Sequence, residues 1–109
     1  MNDSFLEFIK DQFSVLGAIT IRKMFGGAGI YLEGTMFGLI ADDLVYLKVD
    51  TTNKKDYENA KMAPFTYEGK NKTVKMSYYE LPIDILEDQE QLKEWASKAV
   101  SVSLKKSRK

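Results

Sequence analysis

The spacing of apolar residues changes at Gly17. Before it, Phe5, Phe8, Ile9, Phe13 and Leu16 recur at helical intervals, the pattern of an amphipathic helix. Ser4 followed three residues later by Glu7 has the form of a capping box, and Gly17 supplies the stop. From Ala18 the period falls to two. Ile19-Thr20-Ile21 leads into a glycine-bearing segment, Ala28–Glu33 reads as a second strand, and Glu33-Gly34 is a turn dipeptide. Thr35–Ala41 and Leu44–Val49 follow as third and fourth strands around Asp42-Asp43. Connections this short predict an antiparallel meander. Thr51 or Thr52 is placed to cap a short helix running to about Ala60, which Pro64 ends. Phe65–Glu68 and Thr73–Tyr79 predict a second hairpin around Gly69-Lys70-Asn71, and Pro82 and Asp84 begin an irregular or single-turn segment. Asp88 then caps a final helix with Leu92, Trp95, Ala96, Ala99 and Val100 on one face. The predicted order is α-β-β-β-β-α-β-β-α.

The central strands are apolar on both sides. Strict alternation sends Met36 and Ile40 one way and Phe37 and Leu39 the other. It also separates Val45, Leu47 and Val49 from Leu44 and Tyr46. A sheet with one wet face alternates apolar with polar residues. Three modest helices cover one face, so the second is expected to be buried against a partner. The simplest such arrangement is a two-fold homodimer.

The segment Arg22-Lys23-Met24-Phe25-Gly26-Gly27-Ala28-Gly29-Ile30-Tyr31 places three glycines in a strand-like run. Glycine inside a strand costs roughly 0.5–1 kcal/mol relative to alanine. Gly26 or Gly27 is therefore expected to adopt positive φ or to have a neighbour pressed against it. The spacing does not fit a nucleotide loop: Leu32 stands where a third glycine belongs, and strand-like residues follow where a helix should begin.

Composition narrows the chemistry. The 109 residues hold no cysteine and no histidine, which removes disulfides, thiol nucleophiles, Ser-His-Asp triads and His/Cys metal sites. No apolar run approaches the roughly 20 residues that span a bilayer, and Met1-Asn2-Asp3-Ser4 lacks the basic start of a signal peptide. A cytoplasmic protein without membrane contact is expected. The formal net charge is zero, yet basic residues gather late in the chain. Lys98, Lys105, Lys106, Arg108 and Lys109 follow Glu94 with no acid among them. Such a cluster attracts phosphates or simply complements a helix C-terminus. The expected organisation is one domain over residues 1–104 with a basic tail at 105–109.

Three constellations are candidates for chemistry. Asp42-Asp43 is the adjacent acid pair between strands, a common turn feature. A metal there would need further converging oxygens. Ser77 shares a strand face with Lys75 and lacks an evident activator. Tyr31, Tyr46, Lys48, Tyr67, Lys75, Tyr78 and Tyr79 interleave aromatic and basic groups, which suits single-stranded nucleic acid. Tyrosine suits a wet-edged protein interface equally well.

Arg22-Lys23-Met24-Phe25-Gly26-Gly27-x-Gly29-Ile30-Tyr31, Met36-Phe37-Gly38-Leu39-Ile40-x-Asp42-Asp43 and Tyr46-Leu47-Lys48-Val49-Asp50 resemble the N-terminal domain of the TfoX/Sxy family. Asn53, Tyr57, Pro64-Phe65-x-Tyr67, Met76-Ser77-Tyr78-Tyr79, Pro82 and Trp95 extend the match across nearly the whole chain. The resemblance implies a two-layer α+β fold, similar to secretion-chaperone-like domains, with no catalytic centre and no cofactor or metal. Founding members promote transcription of DNA-uptake genes together with a cyclic-AMP-responsive activator, and carry a second, helical domain. These 109 residues correspond to the first domain alone. The expected function is a non-enzymatic regulatory and protein-interaction module, with a transcription factor or RNA polymerase as partner. Direct nucleic-acid binding through the basic tail and the tyrosines is the alternative. Arg22, Phe25, Gly26, Gly27, Gly29, Tyr31, Lys48, Tyr78 and Tyr79 are the expected interaction or structural motif.

Overall fold

The computed structural model describes residues 3–24 and 26–107, with the backbone alone for Lys106 and Ser107. Phe25, Arg108 and Lys109, all named above, lie outside the described residues. Helix α1 (Asp3–Phe13) and a 3₁₀ turn (Ser14–Leu16) precede β1 (Ile19–Met24), β2 (Gly27–Leu32), β3 (Thr35–Ala41) and β4 (Leu44–Lys48). Helix α2 (Lys54–Asn59), β5 (Pro64–Glu68), β6 (Thr73–Glu80), α3 (Ile83–Leu86) and α4 (Gln89–Ser107) complete the chain. The fold is α+β, and all strand pairs are antiparallel in the order β1-β2-β3-β4-β6-β5.

Helix α1 already includes Ser4, so that serine lies within the helix rather than capping it. Gly17 ends the following turn at φ 132°. Asp88 does cap α4: one carboxylate oxygen accepts from the backbone N–H of Glu90 at 3.1 Å and of Gln91 at 3.2 Å. The hydrogen bond from the Gln91 side chain, then that from its backbone, holds the Asp88 carboxyl below its ordinary pKa. Helix α4 runs on to Ser107, so the first three residues of the basic tail are helical.

The hairpins are set by two-residue loops. Glu33 and Gly34 both have positive φ (49° and 83°), and so do Asp42 and Asp43 (52° and 61°). Paired positive φ is the turn whose twist matches a β-hairpin. Asp42 and Asp43 therefore serve as turn residues, and no cluster of metal-ligating side chains forms among the described residues.

Strict alternation fails at one point in β3. Ile30 pairs with Gly38 while its neighbour Tyr31 pairs with Met36, which leaves Phe37 as an extra residue. Such a bulge keeps two successive side chains on similar headings and re-aims the remainder of the strand. Phe37 and Ile40 accordingly share the helix-covered face, with Phe37 edge-on to Phe13 at 5.6 Å between ring centroids. Met36 and Leu39 share the other face. This corrects the grouping that alternation gives.

The core lies between the sheet and its helices. Ile30, Phe37, Ile40, Val45 and Leu47 from the sheet meet Ile9 and Phe13 of α1 and Leu92, Ala96 and Ala99 of α4. Tyr57 of α2 stacks edge-on to Trp95 at 4.7 Å and lies 5.9 Å from Tyr79.

Candidate functional site

The opposite face of the sheet carries the candidate site. β4 separates β3 from β6 in the strand order, yet Met24, Met36 and Leu39 line the same groove as Phe65, Tyr67 and Met76. The sheet must therefore curl, turning its helix-free face into a concave surface. The groove measures about 450 Å³, within the range of small-ligand pockets. Among the described residues, no Asp, Glu, Lys or Arg contributes to its lining.

Glycine positions shape that surface in different ways. Gly26, just before β2, has φ 73° and open space around it. Gly27 has ordinary φ, but a Cβ there would sit 2.3 Å from the Ile40 carbonyl oxygen. The two meet the two reasons expected of this pair, one each. A Cβ on Gly29 would meet the Met24 methyl at 2.9 Å, the Tyr31 ring at 2.9 Å and the Met36 methyl at 3.3 Å. Gly29 is thus the floor on which an aromatic ring and two flexible thioethers rest.

Two cation–aromatic pairs stand on the same face. The Arg22 guanidinium lies 5.4 Å from the Tyr31 ring centroid, and the Lys48 ammonium 4.8 Å from that of Tyr78. Both fall within the roughly 6 Å at which a cation gains from a ring quadrupole. Burial first, then the neighbouring Tyr31, pushes the Tyr78 hydroxyl above its ordinary pKa. The two pairs therefore adjoin. Tyr46 packs edge-on to Phe65 at 5.1 Å. Its pKa is raised by burial, then by Glu80 and Asp42. Carboxylates reach this face too: Tyr46 pairs with Glu80 on β6, next to the Lys48–Tyr78 pair.

Of the expected motif, Arg22, Gly29, Tyr31, Lys48 and Tyr78 come together here, and Gly26 and Gly27 shape the groove's end. Tyr79 does not join them. It points into the core against Tyr57, as alternation with Tyr78 requires. Lys75 alternates with the groove residue Met76 and leaves the face. Ser77 and Lys75 are both exposed on β6. The methionines and Phe65 belong to the sequence motifs, but only the curl of the sheet assembles them into one groove.

An antiparallel sheet packed by helices on one side and hollowed on the other defines an α+β module with one open, concave face. The sequence model of the TfoX N-terminal domain matches residues 11–103, and the chain belongs to that family. No curated protein matches it significantly.

Proposed function

We propose that this domain is a non-enzymatic regulatory module that contacts a protein partner through its concave sheet face. The observation that carries the reading is the composition of that face: aromatic rings and methionines, with charge confined to the margins. Aromatic residues, Met and Arg are the types enriched at protein interfaces, and methionine adapts to irregular partners. Membership of the TfoX N-terminal family supports a role in transcriptional regulation of DNA-uptake genes, with a transcription factor or RNA polymerase as the contact. That role belongs in the cytoplasm; no helix among the described residues is long and apolar enough to cross a membrane.

Affinity capture with the wild-type chain and with Tyr67→Glu tests the reading. Tyr67 is 48% exposed, so this variant alters the face without emptying the core. Loss of a transcription component from Tyr67→Glu, with retention by the helix-side variant Glu94→Lys, is the expected result. Equal capture by both contradicts the reading.

Direct nucleic-acid binding rests on Tyr31, Tyr46, Tyr67 and Tyr78 sharing one face. Against it, two of these rings already carry cations, and a stacking base has to displace Arg22 or Lys48. A gel-shift series with and without residues 105–109 separates the readings, because phosphate binding falls steeply with salt. A homodimer is a further proposal. Its support is the exposed apolar rim, where Met24 is 38% and Tyr67 48% accessible. Leu39, by contrast, is only 9% exposed within one chain, because the sheet curls over it. Sedimentation yielding twice 12.4 kDa supports the dimer, and a 12.4 kDa species rejects it.

A further inference from the structure

We propose that the concave groove binds a free aliphatic carboxylate, its chain lying along Met24, Met36, Leu39 and Met76 and its carboxylate on Arg22. The proposal stands independently of the protein-contact reading, since it concerns the isolated chain.

Three observations converge on this ligand class. The groove is large enough for a small molecule and free of formal charge along its lining, so it accepts an alkyl chain without stranding a polar group. Its thioether walls are unbranched and adaptable, and the missing Cβ of Gly29 lets the Met24 and Met36 methyls close down onto the sheet. Finally, Arg22 brings a cation to the groove's Met24 side. Arg22 lies two residues from Met24 on the same face of β1 and pairs across the ladder with Gly29. Its guanidinium is positioned by the Tyr31 ring, and among the described residues no carboxylate forms an ion pair with it.

The geometry also gives the ligand a direction. A carboxylate at the Arg22 end meets a planar fork of donors already ordered on an aromatic ring. Placed toward Tyr46 instead, it would face Glu80, which pairs with Tyr46 across β4 and β6. A cationic amphiphile is disfavoured at Arg22, and a neutral alcohol gains from the apolar chain alone. A second copy of this chain meeting the rim would leave the hollow itself unfilled, because two concave surfaces do not interdigitate.

The test uses the full chain labelled with ¹³C at the methionine methyls, titrated with decanoate, 1-decanol and decyltrimethylammonium below their micellar concentrations. Decanoate is expected to move the Met24, Met36 and Met76 signals saturably. Met62, which packs against the core on the helix side, should stay in place. Arg22→Gln should weaken decanoate about tenfold, the scale of one charge-assisted contact, and leave 1-decanol unchanged. An unmoved Met62 signal in that variant reports an intact fold. A second variant, Met76→Gln, should weaken decanoate and 1-decanol together. The proposal is overturned if decanoate produces no saturable shift, if Met62 moves in step with the groove methionines, or if Arg22→Gln weakens acid and alcohol equally.

Discussion

Replacing Gly27 with alanine adds one methyl group, and the structure says where it goes. The new Cβ lands 2.3 Å from the Ile40 carbonyl oxygen, with the Ile40 carbonyl carbon at 3.5 Å and the Ala41 Cα at 3.8 Å. Real Cβ atoms do not approach closer than 3.0 Å, so β3 must retreat from β2. Neither obstacle is a flexible side-chain tip. Both belong to backbone that pairs with β2 through Gly27↔Ala41 and Ala28↔Ile40. Moving that backbone also shifts Ile40, which is buried under the helices. Overpacking of this kind costs about 1–3 kcal/mol, and the rigid obstacle places Gly27→Ala near the top of that range. A domain of this size has roughly 5–15 kcal/mol of stability in all, so the melting temperature should fall by about 10 °C. Gly26→Ala is the control: its side chain enters open space, and only the positive φ is penalised, at about 1 kcal/mol. Urea denaturation followed by circular dichroism ranks the two. A Gly27→Ala midpoint within error of wild type would refute the close approach and leave the glycine to serve a partner instead.

Three other outcomes follow from local chemistry. The Tyr57 hydroxyl is buried with no hydrogen-bond partner among the described residues, so Tyr57→Phe should be neutral or stabilising by about 1 kcal/mol; a clear loss of stability in urea melts would reveal a partner for the hydroxyl. Asp43 holds φ 61°, a conformation glycine adopts without strain, so Asp43→Gly should stabilise the fold by up to about 1 kcal/mol, read as a higher urea midpoint, and a lower midpoint would show that its carboxylate matters more than its backbone. Burial raises the pKa of Tyr46, Tyr57 and Tyr78 above 10.0 in the fold. The unfolded chain therefore releases those protons first, and the stability they contribute is full below pH 10 and lost as pH rises through the folded values. Tyr57→Phe should flatten that alkaline decline, and an identical pH profile would remove Tyr57 as its source.

Local features were legible in the sequence because their causes are local. Glu33-Gly34 and Asp42-Asp43 mark their turns through residues that tolerate positive φ, and Asp88 marks the start of α4 through the N–H groups it accepts from. The opposition of Tyr78 and Tyr79 is plain alternation. Ser4 misled because a capping box depends on where the chain enters the helix, and here helical geometry begins earlier. The bulge at Phe37 has no signature of its own. It arises from matching β3 to β2 on one side and β4 on the other, and it exchanges which apolar residues face the helices. The groove was least legible. Met24, Met36 and Met76 are far apart in sequence, and only the curl of a six-stranded sheet sets them around one hollow. Leu39 shows the same effect. It reads as a surface needing a partner, yet its own sheet shelters it.

The claim that this concave face is the recognition surface is tested most directly by site-specific photocrosslinking in cells. A benzophenone side chain at Tyr67, on the rim, should form a covalent adduct with a component of the transcription machinery. The same group at Glu94, on the exposed side of α4, should form none. Adducts from position 94 with silence from position 67 would place recognition on the helical layer and contradict the account.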